Sequence, residues 1–316
     1  MRKATLPLVL ALAVAVIVLA GWPANSSPVT QASSITVPIS TVVTVLGPDY
    51  SAPPAISKND IIVYAQKKRQ DVTSWTPAQG ANAGLQLAIL IDNNDSPTAI
   101  GQHFGEIKDF INSQPDTTQV GLFYAVAGSA RAAAPFSADH SAVAQKLRLP
   151  LGRVSGQSPS IYLSLSDLVT HWPTGSARRE VLMIASGVDR LHPGVQSPYV
   201  DEAVNKIQKS GVIVHTLYSG GLRLANTTLL QSIAWQNLQL VAGGSGGQEF
   251  FQGFETPVDF TPLFRELDTT LKNQYLLTFN TPQSNKKKGE FRSIQIRTEL
   301  PKVNLSYASR VYVQGP

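Results

Sequence analysis

The run Leu85 to Ile100, LQLAILIDNNDSPTAI, constrains this chain more than any other stretch. Five consecutive apolar residues, Leu87 to Ile91, lead straight into Asp92-Asn93-Asn94-Asp95-Ser96. Continuous apolarity, in place of apolar/polar alternation, marks a strand buried on both faces, as parallel strands covered by helices are. In an open α/β sheet the carboxyl ends of such strands form the crevice where ligands bind. Side-chain oxygens of Asp92, Asn94 and Ser96 are therefore expected to converge there, and hard cations suit such oxygens.

The first residues read as a targeting segment. Met1-Arg2-Lys3 precedes an apolar run from Leu6 to Ala20 and then small and turn-forming residues, the pattern of a secretory signal peptide over residues 1–24. Val18-Leu19-Ala20 offers one cleavage site and Ala24 another. The apolar run is shorter than the ~20 residues a membrane span needs, which disfavours the rival reading of an uncleaved anchor. Export, to the periplasm or beyond the cell, without a stable span after cleavage is the expectation. Absence of cysteine excludes a lipid-anchored lipoprotein and a disulfide framework, so stability has to come from an ordinary core. Loss of Arg2 and Lys3 lowers the formal charge from +5 to about +3, too mild to argue for nucleic acid. Lys286-Lys287-Lys288 lies in SNKKKGE between two strand-like runs, where a solvated hairpin loop is expected.

Residues 25–34 are rich in Ser, Pro and Asn and read as a flexible leader. Over residues 35–80, the β-branched run Ile35 to Leu46 and the run Ile61 to Tyr64 predict short strands separated by the turn GPDYSAPP. From residue 85 to 271 buried strands alternate with amphipathic helices. Ser96 and Pro97 suit a helix start, and Ile100, Phe104, Ile107 and Ile111 recur on one helical face. Val120 to Gly128, Val181 to Ala185 and Val212 to Tyr218 are further strands, with helices predicted at Ile161 to His171 and Asp201 to Ser210. Such alternation predicts a doubly wound, mostly parallel α/β sheet. Over residues 272–316, Tyr275 to Phe279, Phe291 to Thr298 and Tyr307 to Val313 alternate without helices. They are expected to join the N-terminal strands in a small antiparallel β module, a sandwich or a sheet, on the α/β domain.

These segments carry a resemblance. ILIDNNDS resembles the first metal-site strand of von Willebrand factor type A (VWFA) domains, whose signature is an apolar strand followed by Asp-x-Ser-x-Ser. GQSPSIYLSLSDLV resembles the family's Gly- and Thr-containing loop and helix, REVLMIASGVDR its strand ending in Thr/Ser-Asp-Gly, and GVIVHTLYSG the strand after it. The flanks SKNDIIVYAQKKRQDVTSW, LLQSIAWQNLQLVAGGSGGQEFF and NQYLLTFNTPQSNKKKGEFRSIQIRT resemble the vWA-related Acidobacterial domain family of secreted proteins, so the likeness spans Ile35 to Val313. It implies a Rossmann-like type A domain and a non-enzymatic role in protein–protein interaction or adhesion. The implied metal-ion-dependent site would hold Mg²⁺ or Mn²⁺ and engage a protein partner.

Carried over residue by residue, Asp92 matches the first Asp, Asn94 stands for the first Ser, and Ser96 matches the second Ser. The family Thr falls at Ser158 or Ser160, and Ser186 before Gly187 replaces the final Asp. The implied metal set Asp92, Asn94, Ser96, Ser158 and Ser186 is thus degenerate. Loss of one of two acids weakens a cage for an ion that sheds water reluctantly. Asp95 or Asp189 could restore the charge by turning inward, although Asp95 is expected to face solvent or bond local N–H groups. The alternative reading is a structural envelope scaffold with a vestigial, metal-free crevice.

Other chemistry finds little support. GQSPS lacks the second Gly of a nucleophile elbow, and the histidines, among them His215 within a strand, show no paired zinc spacing. GGSGG at Gly243 to Gly247 lacks the Lys-Ser/Thr of a phosphate loop and reads as a helix terminator. Phe250, Phe251 and Phe254 read as packing residues.

Overall fold

In a computed structural model of the chain, residues 35–152, 159–175, 177–220 and 227–316 are described. The expected signal peptide and leader lie outside these residues, as does Ser158.

The chain begins with β1 (Thr36–Leu46), β2 (Ile62–Ala65) and β3 (Lys68–Pro77). It then enters an α/β region: β4 (Leu85–Asp92), α1 (Pro97–Gly101), α2 (Phe104–Asn112), β5 (Thr118–Val126), β6 (Ser129–Ser137), α3 (His140–Gln145), α4 (Ile161–Thr170), β7 (Arg178–Ala185), α5 (Pro198–Ser210), β8 (Ile213–Tyr218), α6 (Thr227–Ser245), β9 (Glu249–Phe250) and α7 (Thr261–Lys272). It ends with β10 (Gln274–Pro282), β11 (Glu290–Arg297), β12 (Asn304–Tyr307) and β13 (Arg310–Val313).

The α/β sheet has the order β6-β5-β4-β7-β8-β9, parallel except at the β6 edge. This is the doubly wound architecture of a vWA-like fold. All eight residues of β4 are buried, and their side chains divide by parity between two cores. Leu85, Leu87, Ile89 and Ile91 enter one core with residues of α1, α2, α3 and α7; Ala88 and Leu90 enter the other with residues of α4, α5 and α6. Each fully buried Leu or Ile contributes about 1.5–3 kcal/mol, so this alternation fixes the strand's register and facing. The first predicted helix forms as two, α1 and α2, and Ile100, Ile107 and Ile111 are all fully buried as the spacing requires. From β4 the chain moves to β5 on one side and later to β7 on the other. Between β4 and β7 lies the topological switch point, where such folds place ligands.

The remaining strands form a seven-stranded antiparallel sheet, β12-β1-β10-β3-β2-β11-β13, so N- and C-terminal strands do share one module. Its two end strands, β12 and β13, are consecutive in the chain and separated only by Ala308 and Ser309. The sheet therefore curls until its ends meet, around Val43, Val45, Val63, Leu277, Phe279, Ile294 and Ile296. Curling leaves few free edges for another chain to pair with. The expected SNKKKGE hairpin does not form. That loop links β10 to β11, which are separated in the sheet by β3 and β2, and β10 pairs with β1 and β3 instead. The strand expected at Tyr307 to Val313 is likewise split between β12 and β13.

A buried polar network ties the two sheets together. Glu180 on β7 and His215 on β8 are fully buried, with Glu180 Oε2 2.8 Å from His215 Nε2. The Gln248 backbone N–H donates to His215 Nδ1, so the ring proton lies on Nε2 and points at the carboxylate. From the curled sheet Gln274 Nε2 donates to Glu180 Oε2 (3.1 Å), and Arg178 Nη1 donates to Glu180 Oε1 (3.3 Å). Burial alone would raise the Glu180 pKa; the His215 bond, the Arg178 charge and the Gln274 bond outweigh it and hold the group below its ordinary value. A depressed acid contributes stability above its unfolded pKa and loses it as pH falls through the folded one. Removing one member of a buried charged network costs about 3–5 kcal/mol. Glu180→Ala should therefore lose about that much in urea unfolding at neutral pH, and this difference should narrow in acid. A loss below about 1 kcal/mol, the range of an exposed pair, would show that the network does not bear on stability.

Candidate functional site

The carboxyl ends of β4, β7 and β8 meet at the switch point. Asp92 ends β4 and is buried; its Oδ1 accepts from the Asn94 backbone N–H (2.9 Å) and from Asn94 Nδ2 (3.2 Å). Asn94 thus turns its amide donor toward the carboxylate where the resemblance implied an oxygen ligand. Ser96 caps α1, accepting the Ala99 N–H at 3.3 Å as a helix start needs. Ser160, the described alternative for the family Thr, is the buried cap of α4 and accepts from the Leu163 N–H at 3.4 Å. Of the sequence-derived set, the structure brings Asp92, Asn94 and Ser96 to one strand end and Ser186 to the neighbouring one.

Ser186 follows the last residue of β7, and its buried Oγ has no hydrogen-bond partner among the described residues. Gly187 beside it has φ +78°, and a Cβ there would fall 2.5 Å from the Ala234 carbonyl oxygen of α6. Only glycine fits this close approach of strand end and helix.

Asp95 departs from its expected solvent-facing pose. It is 2 % exposed, and its Oδ2 accepts from the Ser186 backbone N–H (2.8 Å) and from Ser219 Oγ (2.5 Å), so one carboxylate joins the ends of β4, β7 and β8. The reason is geometric. The turn after β4 aims this side chain across the sheet, where a strand-end N–H and a hydroxyl would otherwise be buried without partners. Asp189 also turns inward, accepting from the Leu191 and His192 N–H groups and from Ser197 Oγ. Its acceptors are thereby committed to the β7–α5 loop and the α5 cap.

Sequence reasoning missed three further residues. Tyr162 on α4 donates to the Gly187 carbonyl at 2.7 Å; burial and the nearby Asp189, Asp92 and Asp95 raise its phenol well above the ordinary value. Ser219 holds Asp95, as described. Arg190 places Nη2 3.3 Å from the Asn94 carbonyl and 4.0 Å from Asp95 Oδ1. Nothing in SGVDR or LYSG signals the Arg190 and Ser219 contacts, which join positions 96 and 124 apart in the chain.

Burial raises both carboxyls. Asp92 is shifted upward by desolvation, and Asp95 by desolvation and repulsion from Asp92, from 3.8 to about 7, against the lowering pull of Ser219, Ser186 and Arg190. With the Arg190 guanidinium beside them, the described members of this donor set do not suit a tightly held divalent ion. Asp95 is spent on a backbone N–H and a hydroxyl, Ser96 on its cap, and the final acid is a serine. Among the described residues no group of three His, Cys, Asp or Glu side chains could hold a metal.

No protein-family model matches the chain, and no curated protein matches it. Solved structures do show a likeness. An aerotolerance-related membrane protein from Bacteroides fragilis is 14 % identical, with 60 % of this chain and 98 % of that chain covered and a TM-score of 0.44. BatB from Bacteroides thetaiotaomicron is 16 % identical, with 60 % and 100 % covered and a TM-score of 0.42. The Rpn10 VWA domain is 12 % identical, with 59 % and 96 % covered and a TM-score of 0.41. The vWA-like fold rests on the strand order and connections described above rather than on these scores.

A raised acid holds its proton more tightly in the folded chain, so its stabilising contribution is complete below the unfolded pKa and is lost as pH rises through the folded one. Asp95 should therefore cost stability between about pH 4 and pH 7. Asp95→Asn keeps an acceptor for the Ser186 N–H and removes this titration. It should melt several degrees above the parent near pH 8, the gap shrinking toward about pH 4. A constant gap across that range would contradict the assignment.

Proposed function

We propose that the chain is an exported, non-enzymatic protein-binding module of vWA-like fold, engaging its partner at the carboxyl end of the α/β sheet. Six of the eight large apolar side chains exposed among the described residues surround this end, and their placement carries the proposal. Leu149 and Leu151 lie beside the Asn93 turn, whose side-chain oxygen accepts from the Leu151 N–H and from Arg148. Leu191 and Val195 lie in the β7–α5 loop, Leu229 in the first turns of α6, and Val258 between β9 and α7. Val258 is 95 % exposed and Leu151 68 %, apolar surface that a protein partner would cover. Apolar side chains around a polar, largely internally satisfied crevice suit a protein surface better than a small substrate. No helix among the described residues is long and apolar enough to cross a membrane.

A second reading keeps the metal: Mg²⁺ or Mn²⁺ would be held only when a partner's carboxylate completes the set around Asp92, Asn94, Ser96, Ser158 and Ser186. The Ser186 hydroxyl, without a partner among the described residues, favours it. The scaffold reading differs from both in leaving the crevice face without a role.

Leu151→Glu with Val195→Glu leaves the core untouched and places charge on two sides of the rim. Affinity capture from the native envelope and secreted fractions should retain a defined protein on the parent and at least about tenfold less on this variant. Ile35→Glu, just ahead of β1 and away from the rim, should behave as the parent. EDTA should not alter capture; chelator-sensitive capture would favour the metal-completed reading, and equal capture by rim variant and parent would favour the scaffold.

A further inference from the structure

Where the family resemblance implies a divalent ion, this chain places its own cation. We propose that the Arg190 guanidinium is the resident counter-ion of the crevice, doing covalently what an exchangeable metal would do, so that the site is complete without one. Arg190 follows Asp189 in the loop after β7, and its side chain is only 12 % exposed. It reaches across the switch point to the β4 turn, where Nη2 donates to the Asn94 carbonyl at 3.3 Å and lies 4.0 Å from Asp95 Oδ1. The charge faces both buried carboxyls, easing the ionisation of Asp92 and of Asp95.

Three independent features make this an occupied cation position. The guanidinium joins the loops after β4 and β7 that a bridging ion would join. The residue that the resemblance implies as the second acid is Ser186, so the negative charge to be balanced is smaller than in a metal cage. And a fixed positive charge beside Asp95 repels a divalent ion from the same carboxylates. Arginine suits the task, since it stays charged when buried and is more weakly hydrated than an ammonium group. Among the described residues its buried Nε has no hydrogen-bond partner, so the side chain is not held there by a full set of bonds; what it gains is the charge of the two carboxylates. The inference stands whether or not the apolar rim binds a protein.

Thermal unfolding and calorimetric titration with Mn²⁺ alone, on the full mature chain, test it. The parent should give no saturable heat and no change in melting temperature at millimolar Mn²⁺. Arg190→Gln should melt several degrees lower, and either Arg190→Lys or Mn²⁺ added to Arg190→Gln should restore most of the loss. Asp92→Ala on the Arg190→Gln background should abolish the Mn²⁺ response, since the ion would then lack its main carboxylate. Saturable Mn²⁺ heat in the parent that Asp92→Ala removes would overturn the proposal, as would an Arg190→Gln protein indifferent to Mn²⁺. Should Arg190→Gln fail to fold, the parent titration and the stability of Arg190→Lys decide: a metal-indifferent parent with a stable Lys variant supports the proposal, and a metal-binding parent overturns it.

Discussion

Complete burial of the central strand is the constraint from which the rest follows. β4 has neighbours on both sides in the sheet and a helical layer on each face, so every one of its eight residues is shielded from water. The backbone is satisfied by the ladders to β5 and β7. Polar side chains at the strand's ends have no such recourse and must find partners inside the protein. At the amino end Gln86 does so through Trp172 and Gln119. At the carboxyl end the answer is charged: Asp92 binds its own turn, and Asp95 holds the ends of β7 and β8. An ion pair buried in this way is weak evidence of stability, because desolvation offsets much of the attraction. Its value lies in fixing where three strand ends sit relative to one another, which is what a binding crevice requires.

The same economy governs the junction between the two sheets. Glu180 and His215 sit on adjacent strands below the crevice and receive Gln274 from the curled sheet. That sheet has neither a long apolar helix nor a disulfide to secure it, so its attachment depends on packing and on these bonds. The crevice above and the network below therefore use one logic: a buried acid is retained where several elements must be held at a fixed distance.

Much of this was legible in the sequence, for physical reasons. Continuous apolarity from Leu87 to Ile91 has few solutions other than a doubly covered strand, and Ser96-Pro97 and the spacing of Ile100, Ile107 and Ile111 announce a helix by capping chemistry and period. Edge and partly exposed elements were not legible. β6 reads SARAAAPFS, with alanines and a proline that an edge strand tolerates and that carry no strand signal. β3 reads KRQDVTSWTP, mostly polar because only part of it is covered. The pairing of β10 with β1 and β3 could not be read from a loop that looks like a hairpin, because pairing over more than two hundred residues leaves no local trace. Asp95 and Arg190 belong to the same class. A short turn sequence shows which residues are polar, whereas the direction each one faces is decided by groups such as the Ser186 N–H, 91 positions away.

On the proposal above, the crevice is electrostatically complete within the chain, with two buried carboxyls and an arginine that balances their charge. Carboxyl ¹³C chemical shifts of the mature protein, labelled at aspartate and followed against pH with and without Mg²⁺, measure this directly. Asp95 should titrate near 7, well above its ordinary 3.8, together with a raised Asp92, and Mg²⁺ should leave both curves in place. An Asp95 midpoint at the ordinary carboxylate value, or a collapse of both midpoints on adding Mg²⁺, would contradict it.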